Sequence, residues 1–400
     1  MKLICIIEML EIINRMKEHF LLREDITFLN FGSFGATPKE LFDDYVQWQL
    51  LLEKEPVQYI TVDGFRYLNE ARKALAKFIS TDFENLIFVP NPTHAINILA
   101  KNIRLNPGDE ILSTSLEYGA MDRTWNYYCE KQGAKYIQQA ITLPIQSKEV
   151  FLEEFWKGYS DKTKIVFISQ ITSSTGLILP VKEICEEAKK RGLITIVDGA
   201  HVPAHIDLNL TELKADYYTG ACHKWMMTPK GSSFLYVHPD FQKELDPLII
   251  SWGYKSAAPS NSQFFDYHQF NGTRDFSAYL TIPKSIEFME KHRWKERTEE
   301  CRNLLIENAP KLFSLLKTEP LAPLTKEFFG QLCSAEIKTN EPEKLQRLLF
   351  EKYKIEIPVM RHGDKCYIRF SFQVFNTVNE LDYLISCLTE IQKTTEFIHS

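Results

Sequence analysis

The sequence predicts an α/β fold, a seven-stranded and mostly parallel sheet flanked by helices, followed by a smaller α+β unit. Two observations predict it. From residue 86 onward, apolar runs of strand length alternate with helical stretches closed by glycine, the mark of βαβ units. Within that alternation the apolar run Ile194–Val197 ends on a carboxylate, Asp198, and the next strand-like run leads into His223-Lys224-Trp225. Parallel strands place their C-terminal ends at one edge, where open α/β sheets bind ligands, so Asp198 and Lys224 are expected to face a common ligand.

Composition narrows the function classes. A chain of 400 residues with 44% hydrophobic and 25% charged residues has the balance of an ordinary globular protein and length for two or three structural units. Its net charge of −6 gives no electrostatic footprint for nucleic acid, and no long Lys/Arg run favours a membrane surface. The eight cysteines, Cys5, Cys129, Cys185, Cys222, Cys301, Cys333, Cys366 and Cys387, form no CxxC pair and no metal-ligand spacing. Reduced, structural thiols in a cytoplasmic protein without a metal are therefore expected. The apolar opening Met1–Ile7 is cut by Glu8 and Glu11, too short for a signal h-region or a membrane span, and Met16 is an alternative natural start.

Taken in order, Phe28-Leu-Asn-Phe-Gly-Ser-Phe-Gly35 reads as a short strand breaking into a Gly- and Ser-rich turn, whose glycines let backbone approach a ligand. Apolar residues at helical spacing follow in Leu41–Lys54 and Leu68–Phe78. Strands are expected at Leu86–Pro90, Asp109–Thr114, Lys135–Ile141, Lys164–Ser169, Leu193–Val197, Asp216–Thr219 and Ser233–Val237. Helices Met121–Gln132 and Val181–Arg191 are closed by Gly133 and Gly192. After Pro247 the pattern changes: a polar, aromatic stretch Ser260–Gln269 and a turn at Phe270–Asp275 lead to a helix near Ser277. Helical runs Arg297–Leu316 and Pro342–Lys354, strands around Leu332–Ile337 and Cys366–Phe372, and a closing helix from Asn379 complete the chain.

A lysine and a strand-end carboxylate at one sheet edge suit pyridoxal 5'-phosphate. The amine forms a Schiff base with the aldehyde, while the carboxylate keeps the pyridine nitrogen protonated. Further stretches carry a resemblance: Phe28–Gly35, Glu55-Pro-Val57, Glu117-Tyr-Gly-Ala120, Ser173-Ser-Thr-Gly176, Val197–His201, His223-Lys-Trp225, Gly272-Thr-Arg-Asp275, Arg369-Phe-Ser371 and Phe375-Asn-Thr377. Each is weak alone, but their order and spacing are specific. From Phe28 to Thr377 the chain resembles the class V aminotransferase family of fold type I pyridoxal phosphate enzymes, most of all isopenicillin N epimerase and its relatives.

The resemblance implies residues 1–36 as a segment joining the small domain, 37–276 as the large cofactor-binding domain and 277–400 as the C-terminal small domain. It implies Lys224 as the Schiff-base lysine, Asp198 as partner of the pyridine nitrogen, His201 as donor to the phenolic oxygen and Tyr118 as the ring stacked on the cofactor. Thr93, the amide of His94 and His223 match the phosphate cup, and Thr273 the threonine that reaches the phosphate of a neighbouring subunit, hence a homodimer with shared active sites. Ser173 belongs to the same cofactor-binding set. Arg369 matches the arginine that clamps a substrate carboxylate, with Asn30 and Ser33 lining the substrate side. Arg361 has no secure match.

Departures fall near the substrate. Ala221 replaces a polar residue usual in relatives, so one phosphate or ring contact is missing or supplied by Thr219, and Gln170, Trp252 and Phe31 stand where relatives often show histidine. The lead expectation is an epimerase-like enzyme at the α-carbon of an amino acid or amino-acid-derived compound. Elimination by a C–S lyase is next, then transamination, with a non-catalytic scaffold last. A cysteine desulfurase is disfavoured, because the span Ile357–Arg369 offers only Cys366, in a strand-like run where a thiol is a poor sulfur carrier.

Overall fold

The structure is a computed structural model that describes residues 16–399; the run Met1–Ile7, with Cys5, lies outside the described residues. In chain order the strands are β1 (Thr27–Phe28), β2 (Leu86–Val89), β3 (Glu110–Thr114), β4 (Lys135–Gln139), β5 (Thr163–Ser169), β6 (Ile194–Gly199), β7 (Tyr217–Ala221), β8 (Ser233–Val237), β9 (Leu332–Glu336), β10 (Ile355–Glu356), β11 (Val359–His362) and β12 (Lys365–Ser371). Seven of them form one sheet in the order β2-β8-β7-β6-β5-β3-β4. It is parallel except for β8, which runs against both β2 and β7. The β7–β8 connection, 222–232, is too short for a crossover helix, so the chain must turn back on itself. Lys224 rides on that turn.

Strand periodicity builds the two-sided core. Leu86 and Phe88 join one apolar cluster with Val166, Ile168 and Val197, while Ile87 and Val89 join another with Ile165, Phe167 and Ile196. Successive side chains point to opposite faces, so nearly every position of a central strand must be apolar. Helices cover each face. Ile96, Leu99 and Trp125 belong to the second cluster, and Leu68, Leu75 and Ile184 to the first. The expected glycine closure is present at Gly133, whose φ of 69° is the left-handed cap and whose N–H bonds to the last carbonyls of Gly119–Gln132.

The C-terminal part holds a three-stranded antiparallel sheet, β11-β12-β9, flanked by the helices Trp294–Leu316, Pro342–Glu351 and Val378–Thr394. The N-terminal segment is sewn onto it: β1 pairs parallel with β10, Ser371 N–H donates to the Leu29 carbonyl, and Asn376 Nδ2 donates to the Phe28 carbonyl at 2.9 Å. Short elements depart from the sequence reading. Lys148–Trp156 is an unexpected helix, Gln263–Gln269 is helical within the stretch read only as polar and aromatic, and Val359–His362 adds an unexpected strand that pairs with the one expected around Cys366–Phe372. In Gln263–Gln269 the buried Phe264 and Phe265 supply the apolar face that a short, aromatic-rich sequence obscures. Among the described residues no helix is long and apolar enough to cross a membrane.

Candidate active site

Asp198 sits at the C-terminal end of β6, in register with Ser169 of β5 and Thr219 of β7. Its Oδ1 accepts the Ala200 N–H at 2.9 Å, and Oδ2 has no partner among the described residues. Burial raises its pKa above the usual carboxylate value, offset by the Ala200 N–H and by Lys224. A buried, half-partnered carboxylate is costly unless something else engages it.

Lys224 Nζ lies 3.1 Å from His201 Nε2. Burial, with Arg369 adding to it, lowers the amine to about 7, and Asp198 pulls the other way. On the other side of the His201 ring, Trp225 Nε1 stands 3.4 Å from Nδ1. An indole N–H only donates, so Nδ1 is the acceptor and the ring proton of neutral His201 sits on Nε2, toward the lysine. Burial keeps His201 neutral, its pKa driven well below the ordinary value, and the Lys224 charge adds to this. Trp225 is itself clamped between His205, stacked at 3.8 Å, and Phe31 at 5.2 Å.

The turn bearing Lys224 is pressed by the N-terminal segment. Gly35 has φ 64°, and a β-carbon there would stand 2.5 Å from the carbonyl oxygens of both His223 and Lys224. The glycine read as approaching a ligand in fact approaches the backbone of the lysine turn. Two residues earlier, Ser33 Oγ accepts from Arg369 Nη2 at 2.9 Å, and Arg369 Nη1 donates to the Ser173 carbonyl. Arg369 Nε is buried without a partner among the described residues, and burial lowers the guanidinium to about 10.

A cavity of about 380 Å³ joins these groups, a volume that suits a small-molecule site. Lys224, Asp198, His201, His223, Tyr118, Thr93, Ser173, Ser33 and Arg369 all line it. Asn30, His94 and Thr273 do not. Asn30 stands behind Ser33, whose hydroxyl it accepts at 2.5 Å, and the His94 N–H is already donated to the Asn91 side chain at 2.9 Å. Thr273 is exposed. His223 Nδ1 lies 2.8 Å from the Ser232 carbonyl and donates to it, which leaves Nε2 as a lone pair while burial holds the ring pKa at about 4.

The departures resolve as structure rather than as site. Thr219 donates to the Phe234 carbonyl at 2.8 Å and cannot stand in for the missing donor at Ala221. Gln170 Oε1 accepts the Tyr218 hydroxyl, Phe31 is core, and Trp252 is 88% exposed. Arg361 points away, 3.5 Å from the Asn340 carbonyl. Sequence reasoning missed Met360 and Phe34 as cavity walls, and it gave Glu117 no role. That carboxyl is wholly buried beside the tyrosine, accepting from Thr114 Oγ1 at 2.6 Å and from Ser169 N at 2.9 Å, and burial raises it to about 8. Only the adjacency of an acid to Tyr118 could have signalled it.

The fold and the constellation at the sheet edge define a fold type I pyridoxal phosphate enzyme. The chain belongs to the aminotransferase class-V family, whose model matches residues 60–384. It is 30% identical to an isopenicillin N epimerase of Amycolatopsis lactamdurans over 94% of this chain and 98% of that protein. It is 25% identical to a protein named putative L-cysteine desulfhydrase 1 of Oryza sativa subsp. japonica, over 91% of this chain and 82% of the other. A cysteine desulfurase from Thermococcus onnurineus NA1 has a similar fold, with a TM-score of 0.81 at 20% identity, covering 95% of this chain and 98% of that one.

Proposed function

We propose that this enzyme acts at the α-carbon of an amino acid or amino-acid-derived compound, as isopenicillin N epimerases do, in a homodimer with shared sites. The observation that carries the reading is the meeting of a near-neutral amine, a half-partnered buried carboxylate and a half-partnered buried guanidinium in one small cavity. These residues fit the cofactor. Asp198 Oδ2 would hold its ring nitrogen, His201 Nε2–H its phenolic oxygen, and Thr93, with its free N–H and hydroxyl at a helix start, its phosphate. His223 can add a phosphate bond only once its Nε2 is protonated, because Nδ1–H is spent on Ser232. Bound pyridoxal phosphate supplies an electron sink that makes an α-proton removable.

The protein's own groups do the rest. Lys224, neutral to a large extent at pH 7, is able to attack a carbonyl and to receive a proton. Arg369 would exchange its neutral acceptors, Ser33 Oγ and the Ser173 carbonyl, for a substrate carboxylate, a stronger, charge-assisted partner. Tyr118, 46% exposed on the cavity wall, would cover the cofactor ring. The remaining wall toward Phe34 and Met360 is apolar and selects against a second charge on the substrate.

One observation favours β-elimination as the second reading. Apart from Lys224, the titratable side chains among the described residues of the cavity wall, Asp198, His201, His223, Tyr118 and Arg369, are all assigned to the cofactor or the substrate carboxylate, which leaves no second acid/base, and elimination needs a single base. Sulfur transfer is disfavoured: Cys366 is buried in β12, its Sγ 3.5 Å from the Thr339 carbonyl. The test is the visible spectrum of the purified protein and of Lys224→Ala, before and after borohydride. A yellow band bleached by borohydride and absent from the variant is expected; a protein colourless even with added cofactor overturns the reading. Amino acids offered to the holoenzyme in deuterated water then separate the branches. Deuterium at an inverted α-carbon marks epimerisation, and ammonia with a 2-oxo acid marks elimination.

A further inference from the structure

Away from the cavity, three metal-binding side chains meet where the N-terminal segment crosses the large unit. His19, Glu40 and His292 each offer a ligand atom, and these atoms lie within 4.8 Å of one another. His19 precedes β1, Glu40 is in the first turn of Lys39–Lys54, and His292 caps Ile282–Lys291. Such distances in sequence leave no readable spacing. His19 Nδ1 is 3.5 Å from Glu40 Oε1, and the two imidazoles meet edge-on with centroids 4.8 Å apart.

A second observation points to a missing ligand. His292 Nε2 is buried and has no hydrogen-bond partner among the described residues. A ring nitrogen withdrawn from water without a replacement partner is a standing cost that a bound cation would remove.

We propose that His19, Glu40 and His292 bind one divalent cation of the zinc class, with water in the fourth position. Two imidazoles and one carboxylate match the donor preferences of that ion, whose ligand bonds of about 2.0–2.2 Å need only a modest contraction of the cluster. Lys291 is the competing cation, its Nζ 3.4 Å from both Glu40 oxygens, and its exposed side chain must swing away on binding. The consequence is mechanical. The Lys39 N–H already donates to the His19 carbonyl at 2.7 Å, and Phe20 bridges to Pro38. A cation would lock this loop to the helix ending at Lys291, and with it the stretch that brings Ser33 to Arg369.

The experiment is calorimetric titration of the holoprotein with Zn²⁺ in a non-coordinating buffer, comparing wild type with His19→Phe, Glu40→Gln, His292→Phe and Lys291→Met. Phenylalanine keeps the ring packing against Phe288 while removing the nitrogens. Saturable uptake of one Zn²⁺ per chain is expected, weakened at least about tenfold by each ligand variant and tightened by Lys291→Met, with cofactor absorption and circular dichroism unchanged. The proposal is overturned by no saturable uptake, by wild-type affinity in either phenylalanine variant, by unchanged or weaker affinity in Lys291→Met, or by light scattering that shows zinc acting only by joining chains.

Discussion

Lys224 owes its chemistry to what surrounds its amine. Burial, then Arg369, bring it from the ordinary 10.5 to about 7. Only the neutral amine attacks an aldehyde, so covalent uptake of pyridoxal phosphate by apoprotein should rise through pH 7 and level off above about pH 8, one unit past the pKa. A stopped-flow rate still climbing between about pH 8 and 10 would place the amine in ordinary solvent. Trp225 acts one atom further out, since its N–H fixes the His201 proton on Nε2. Trp225→Phe keeps most of the packing and frees the tautomer. The pH midpoint of the cofactor's visible band should then move up by about 0.7 units, the equivalent of one neutral hydrogen bond of about 1 kcal/mol. An unmoved midpoint would mean that His201 keeps its tautomer without help.

At the scale of elements, the lysine turn and the N-terminal segment form one device. The β7–β8 turn projects Lys224 into the cavity, and the segment after β1 packs Gly35 on its carbonyls while presenting Ser33 to Arg369. Gly35→Ala combines a left-handed φ with a backbone clash that no side-chain rotation relieves. A loss of about 2–4 kcal/mol is expected, read from urea unfolding, together with weaker cofactor retention because the lysine turn must shift. Full stability in the variant would show that the segment yields instead. The strands and most helices were legible in the sequence because the periods of 2 and 3.6 are local signals. The strand β11 and the helix Gln263–Gln269 were not, because short elements take their conformation from what they pack against.

At the scale of the molecule, Thr273 is exposed and lines no part of this chain's cavity, while Ile249, Ile250 and Trp252 leave apolar surface open beside the same stretch. Both features fit a second copy covering the face and lending its threonine. Light scattering is expected to give twice the 46.7 kDa of one chain. Thr273→Val should weaken cofactor retention about tenfold, the worth of one hydrogen bond to a charged group. A monomer that holds the cofactor tightly would refute shared sites.

The sequence by itself determined the sheet and the roster of reactive groups at its edge. Asp198 and Lys224 could be placed because each closes or follows an apolar run, and strand ends are set by neighbours in the chain. Tertiary structure decided which of those groups remain free. The His94 amide is consumed by Asn91, the Thr219 hydroxyl by Phe234 and one nitrogen of His223 by Ser232, whereas Asp198 and Arg369 keep atoms unspent. It also brought Ser33 to Arg369 across more than three hundred residues and set Trp225 on His201. No local pattern encodes these pairings, because a donor's availability and an amine's pKa depend on burial and on partners that only the folded chain brings near.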